Sequence, residues 1–247
     1  MQVTPEAASA LWRPFRKVDG ARVFHVDLTA DIARESEALD WLDEAERSRR
    51  LRFLYPRPRR EFTLCRAALR ALLCRELGCN NGDLSFEKAR FGKPFARICG
   101  VPARVAFNVS HSGRHGLIAL AAGGRIGVDV EERSTRRELD GYIRLLFAPQ
   151  ERAELEEANG DGKVELFYRL WTLKEALVKA VGAGLSLDTA KFEIPPAMVR
   201  GAPVSLFSFP ETPSVRWRLD YIGDIRFAAA IARESVDPCD PLRYVEH

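Results

Sequence analysis

Hydrophobic and polar positions along the chain switch several times between a period of two and a helical period. Ala21-Arg-Val-Phe-His-Val-Asp-Leu28 alternates as a half-buried strand does. A charged helical pattern covers 41–52, and Pro56 and Pro58 interrupt the chain after it. An amphipathic helix is predicted over 60–77, with Phe62, Leu69, Leu72 and Leu73 among its apolar positions and Gly78 as its stop. Short strands near 84–87 and 104–108 flank a loop holding Phe91-Gly-Lys-Pro94. Residues 116–122, the Gly123-Gly124 turn and 125–131 have the pattern of a β-hairpin. Helices are expected over 137–147, 149–158 and 163–181, the last closed by Gly182 and Gly184. The stretches 192–194, 204–209, 215–222 and 225–231 predict antiparallel strands. Strands and helices mixed without regular βαβ alternation indicate the α+β class. The Gly123-Gly124 turn is the natural seam, dividing the chain into 1–122 and 123–247.

Composition adds exclusions. With 46% hydrophobic and 30% charged residues, the 247-residue chain is expected to fold rather than stay disordered. Nowhere do about 18 apolar residues run together, so no membrane span is expected. The first eleven residues carry Glu6 and no apolar run, unlike a secretory signal. Five cysteines without a C-x-x-C pair favour reduced thiols in a cytoplasmic protein. The formal charge of +3 conceals an asymmetry. Residues 1–122 hold 21 basic and 14 acidic side chains, and the remainder holds 17 and 21. A cationic half joined to an anionic half suggests a ligand with anionic groups and, on the other side, a metal.

The acidic side has a recognisable pattern. Residues two apart in a strand share a face, so Asp129 and Glu131 project together while Val128 and Val130 turn into the core. Two such carboxylates form an oxygen pair suited to Mg²⁺; a solvated acidic strand face is the plain alternative. In the long helix, Trp171, Glu175 and Lys179 lie on one stripe at i, i+4 and i+8. As a surface ion pair, Glu175 and Lys179 would contribute only about 0.3–0.5 kcal/mol. Placed beside Asp129 and Glu131, they would add a third carboxylate and a cation. A metal together with a lysine is what displacement at a phosphate ester needs.

Ile126-Gly-Val-Asp-Val-Glu131, followed after 39 residues by Trp171-Thr-Leu-Lys-Glu-Ala176 and Lys179, resembles the bipartite signature of 4′-phosphopantetheinyl transferases. Phe107-Asn-Val-Ser-His-Ser-Gly113 and Phe91-Gly-Lys-Pro94 resemble two further motifs of that family, in the expected order. The length is similar to the Sfp-like type, which implies a monomer of two similar subdomains related by a pseudo-twofold axis, each a small antiparallel sheet packed with helices. The resemblance implies transfer of phosphopantetheine from coenzyme A to a serine of an apo acyl, peptidyl or aryl carrier protein, releasing adenosine 3′,5′-bisphosphate. By match, Asp129, Glu131 and Glu175 would hold Mg²⁺, Glu175 would also be a candidate base, and Lys179 would neutralise the phosphate oxygens. Lys174, one residue before Glu175, faces away by about 100° and is expected to support rather than catalyse. Ser110 and His111 would hold the coenzyme's 3′-phosphate, with Asn108 in the same motif. Gly92 and Lys93 would meet the adenine end, Arg49 would lie near the phosphates, and Arg66 would meet the coenzyme from the family's pattern of Phe62, Arg66, Leu69 and Arg70. Glu46 departs from the pattern, standing where some relatives carry lysine.

Other chemistries fit less well. His111 and His115 have a helical zinc spacing, but Gly113 breaks the run and no cysteine is near. The serines beside His111 lack a G-x-S-x-G setting. Ten arginines between Arg47 and Arg75 offer the rival of a different class, a nucleic-acid-binding module. No helix-turn-helix, finger or stacking platform accompanies them. The sequence therefore points to a soluble enzyme with no nucleic-acid or membrane partner.

Overall fold

Eleven strands and seven α-helices appear among the residues that the computed structural model describes, 11–89, 92–134 and 139–235. In chain order they are β1 (Arg13–Val18), β2 (Ala21–Asp27), α1 (Ile32–Trp41), α2 (Glu44–Leu51), α3 (Pro56–Leu77), β3 (Leu84–Lys88), β4 (Pro94–Ile98), β5 (Val101–Pro102), β6 (Ala106–Ser112), β7 (His115–Ala121) and β8 (Ile126–Glu131). There follow α4 (Leu139–Leu146), α5 (Pro149–Glu157), α6 (Gly160–Val181), α7 (Pro196–Val199), β9 (Val204–Phe207), β10 (Arg216–Tyr221) and β11 (Ala228–Ser235). The α+β class is as expected. Among the described residues no helix is long and apolar enough to cross a membrane.

Two four-stranded antiparallel sheets carry the architecture, in the orders β1-β2-β7-β6 and β8-β11-β10-β9; β3, β4 and β5 form a smaller third sheet. Strand alternation sorts the apolar side chains into three cores. Phe24, Val26, Ile118 and Leu120 pack against Leu64, Ala68 and Leu72 of α3. Ala228, Ala230 and Ala232 pack against Leu173, Leu177 and Ala180 of α6. Between the sheets, Val23, Leu117 and Ala119 meet Val128, Val130 and Ile231. The order is therefore helix, sheet, sheet, helix.

The expected hairpin across Gly123-Gly124 does not form. β7 is already paired on both edges, with β2 and β6, so β8 has no free edge to join and pairs with β11 instead. Pro56 and Pro58, read as an interruption, open α3; the first helical N–H groups have no intrahelical partner, so proline costs little there. The strand expected over 192–194 is irregular. Its backbone is satisfied by side chains: Lys174 Nζ donates to Phe192 O, and Ile194 N donates to Glu151 Oε1. The 13–18 strand and the 94–98 and 101–102 strands had no clear alternation to announce them. Phe91 and residues 137–138 of the expected 137–147 helix lie outside the described residues.

Candidate active site

β8 is an edge strand, and its outward N–H groups need partners. The edge strand of the other sheet, β6, supplies them through side chains. Asn108 Oδ1 accepts Val128 N–H at 2.9 Å, and Ser112 Oγ accepts Glu132 N–H at 3.2 Å. Ser110 Oγ donates to Asp129 Oδ1 at 2.8 Å, and Ser112 Oγ to Glu131 Oε2 at 2.7 Å. Positions 108, 110 and 112 thus run in parallel register with 128–132. This zipper of short polar side chains joins the halves, and the period-two Asn-x-Ser-x-Ser pattern was its signal in the sequence.

α6 reaches the zipper because Gly127 has no side chain. A Cβ there would collide with the backbone at Ala176 O and Ala180 N, so only glycine lets the helix lie this close to β8. Close approach delivers Lys179, whose Nζ lies 2.6 Å from Asp129 Oδ1 and 2.8 Å from Ser110 Oγ. Asp129 is 3% exposed, and its second oxygen, Oδ2, is buried without a hydrogen-bond partner. Trp171 Nε1 donates to Glu131 Oε1 at 3.4 Å. Glu175, half-buried on the same stripe, has its carboxyl pushed up by burial first and then by the charges of Asp129 and Glu131, with Lys179 opposing. Asp129, Glu131, Glu175 and Lys179 therefore stand around one junction of β8 and α6. Among the described residues no three His, Cys, Asp or Glu side chains are gathered at metal-binding spacing, so the carboxylates are neighbours rather than a closed cage.

Lys174 lies on the opposite side of α6, fully buried. Its Nζ is 2.8 Å from Glu151 Oε2 and donates to Thr189 O and Phe192 O. Burial pushes its ammonium down. Glu151 also accepts Ala148 N–H and Ile194 N–H, which ties the start of α5 to the 192–194 segment. The supporting role expected of Lys174 matches this geometry.

Residues 125–232 match the 4′-phosphopantetheinyl transferase superfamily, and residues 32–123 match the 4′-phosphopantetheinyl transferase N-terminal family. HetI of Nostoc, a 4′-phosphopantetheinyl transferase, is 30% identical over 75% of this chain and 80% of its own length. The chain belongs to the 4′-phosphopantetheinyl transferase family. The Sfp transferase of Bacillus subtilis is 28% identical over 70% of this chain and 75% of its own. The slr0495 protein of Synechocystis is 40% identical over 59% of this chain and 58% of its own. As a family member the chain is an enzyme that transfers phosphopantetheine to carrier proteins, with coenzyme A as its substrate.

The remaining residues expected at the coenzyme are dispersed. Asn108 and Ser110 serve the zipper, both buried, whereas His111 points to the other side of β6 with its side chain 45% exposed. His111 Nδ1 lies 3.6 Å from Glu61 Oε2, and the other oxygen of that carboxylate, Oε1, accepts Arg57 Nε–H at 2.8 Å. Burial lowers the His111 pKa; Glu61 works against that, and Lys179 and Arg57 work with it. Ser110 thus stands in the carboxylate cluster, while His111 lies on the other face of β6. Gly92 takes φ +83, and the ammonium of Lys93 faces three backbone carbonyls rather than open space.

Arg49 lies over the Phe62 ring, 5.1 Å from its centroid. Arg66 stacks 4.4 Å over Phe86 and lies 3.5 Å from Glu46 Oε1, and burial pushes its guanidinium down. Glu46, the departure from the family pattern, is an internal fixture. It closes a capping box with Asp43 at the start of α2 and pairs with the buried Arg70 at 3.1 Å. Four of the ten arginines of the run are internal fixtures too. Arg47 donates to Leu39 O and Leu42 O, Arg59 to Phe53 O, Arg60 to Leu28 O, and Arg70 to Asn81 O and Leu84 O. These four guanidiniums satisfy backbone carbonyls within the fold, a function that neither a solvated helix face nor a phosphate-binding patch anticipates.

Proposed function

We propose that the chain moves the 4′-phosphopantetheinyl group of coenzyme A to a serine hydroxyl of an apo carrier protein in a Mg²⁺-dependent reaction that releases adenosine 3′,5′-bisphosphate. The observation that carries this reading is the convergence of Lys179, Asp129, Glu131 and Glu175 at the β6–β8 zipper. The donor set is three carboxylates at one junction, short of ligating spacing among the described residues but of the oxygen chemistry a hard cation takes. A buried carboxylate oxygen with no donor, Asp129 Oδ2, is costly unless a positive charge meets it. Glu175 is pushed up by its two acidic neighbours, a repulsion that a divalent ion relieves. Mg²⁺ takes a few carboxylates and keeps water or phosphate oxygens, so Asp129, Glu131 and Glu175 would hold it, and when bound it neutralises charge on the pyrophosphate.

The chain's own residues do the rest. Lys179, held by Asp129 and Ser110, faces the place where charge grows on the departing phosphate, and needs no reorganisation to stabilise it. The serine oxygen bonds to phosphorus while the bond from phosphorus to the departing nucleotide phosphate breaks. The serine proton passes to Glu175, directly or through water. His111, Arg49 and Arg66 in the cationic half would neutralise the phosphates of the nucleotide end, with Gly92 beside the adenine. In this reading the protein acts as a monomer, with 1–122 and 123–247 as its two subdomains. The free described cysteines, two of them buried, support a reducing cytoplasmic setting. Mass spectrometry of acyl, peptidyl and aryl apo carriers incubated with the enzyme, coenzyme A and Mg²⁺ tests the proposal. Phosphopantetheine mass should appear on the serine of at least one carrier, and no gain on any carrier with folded enzyme rejects it.

A further inference from the structure

Lys93 stands in the loop between β3 and β4, closed by Ala89 N to Lys93 O at 2.9 Å and Gly92 N to Ala89 O at 2.8 Å. From this anchored position its side chain crosses to the other half of the molecule. Nζ donates to Ile126 O at 2.8 Å, Lys179 O at 2.9 Å and Ala180 O at 3.2 Å. These three carbonyls match the three donors of an ammonium. Two of them belong to the last turn of α6, where carbonyls have no intrahelical partner and the helix end carries partial negative charge. The third opens β8. The lysine stem lies against Gly182, the left-handed cap of α6, where a Cβ would be 3.5 Å from Lys93 Cδ.

We propose that Lys93 is a positioning residue for transfer, a clamp that locks the end of α6 onto the start of β8 and thereby fixes Lys179 against Asp129. The inference rests on the transferase reading given above. It assigns Lys93 a duty different from contact with the coenzyme, because its three donors are already engaged. Gly127 and Lys93 act on the same junction from two directions. Gly127 allows the helix to approach, and Lys93 bridges the residual gap with a charge. The carbonyl of Lys179 is one of the acceptors, so the clamp grips the residue whose ammonium stands on Asp129. Arg125 is the charged group that faces Lys93. Burial and Arg125 bring the Lys93 pKa down to about 8, so the clamp is charged at neutral pH and loosens in mild alkali.

The test is Lys93→Met, which keeps the stem and removes the charge, with Lys93→Arg as the conservative variant. A clamp predicts that in Lys93→Met kcat falls about ten- to a hundredfold while KM for coenzyme A stays within about twofold. Lys93→Arg should restore part of kcat. Contact with coenzyme A instead predicts a raised KM with kcat retained, and that result overturns the proposal, as does an unchanged enzyme. The wild-type protein supplies an arm that needs no folded variant and no turnover. Protection of the backbone amides over 176–182 against hydrogen exchange, corrected for intrinsic rates, should fall between pH 7 and pH 9, and fall more than in the β2–β7 pair. Constant protection there rejects the clamp. Absence of transfer to any carrier by the wild type rejects the functional reading alone, and the exchange arm still decides the clamp.

Discussion

Lys179 Nζ lies 2.6 Å from Asp129 Oδ1, and the same oxygen accepts Ser110 Oγ–H at 2.8 Å. The three residues come from α6, β8 and β6, so this single oxygen joins both sheets and the helix that carries Glu175. Its partner oxygen, Oδ2, is left without a donor. One oxygen of Asp129 is thus engaged and the other is not, an asymmetry that suits the metal site proposed above.

Asp129→Asn keeps the shape and removes the charge. Transfer to an apo carrier should fall about 10²-fold or more in kcat/KM, a loss of about 3 kcal/mol in transition-state stabilisation. Steady-state assays at saturating Mg²⁺, with circular dichroism as the check on folding, measure this. Activity near that of the wild type removes Asp129 from the site.

His111→Ala should weaken coenzyme A binding more than it slows chemistry, raising KM with kcat nearly kept. The same substitution assayed with 3′-dephospho-coenzyme A should make little difference. An equal loss with both substrates would show that His111 does not read the 3′-phosphate.

The buried Lys174–Glu151 pair should behave as an anchor rather than as a catalytic element. Lys174→Met leaves the Glu151 charge buried with only backbone donors, and should cost about 3–5 kcal/mol of stability. Lys174→Met combined with Glu151→Gln should recover part of that loss, since the stranded charge is gone. Denaturant melts of the double variant and of both single variants decide it; additive losses would mean that the pair is not coupled.

Acid should loosen the contact between the sheets. His25 is 2% exposed and packs with His115 and Phe227 in the layer between them, its Nε2 3.0 Å from His115 Nδ1. Burial foremost, then Arg13, His115 and Arg226, lower its pKa to about 4, with Asp27 opposing. The unfolded chain therefore takes up this proton near pH 6.5 and the folded protein only near pH 4. Stability is fully present above about pH 6.5 and declines as pH falls toward 4, then levels off for this group. Denaturant midpoints between pH 7.5 and pH 4.5 should show the decline, and His25→Gln should flatten it. Parallel slopes in the two proteins would remove His25 as the cause.

Local pattern was enough for much of this. The period of two in 126–131 and the i, i+4, i+8 stripe of Trp171, Glu175 and Lys179 are short-range features, so side-chain direction follows from backbone geometry alone. The same holds for Val128 and Val130 entering the core and for Lys174 turning away from Glu175. The α+β class and the shared faces of Asp129 with Glu131 and of Glu175 with Lys179 were legible for that reason.

Which strand β8 would pair with, and what each polar side chain of β6 would bind, depended on partners distant in sequence. A Gly-Gly turn between two apolar runs carries the same local signal whether the strands pair or part, and β7 had no open edge left for β8. Ser110 and His111 are neighbours in sequence but face opposite sides of their strand, one toward Asp129 and the other toward Glu61. Arg47, Arg59, Arg60 and Arg70 look like a phosphate-binding run until the carbonyls they satisfy are seen, and nothing near Lys93 in sequence announces its reach to the end of α6. By itself the sequence determined the periodicities and the inventory of charges. Only the tertiary structure decided which charges remain free for a ligand, because a hydrogen bond is specified by the distance between two groups and not by their order along the chain.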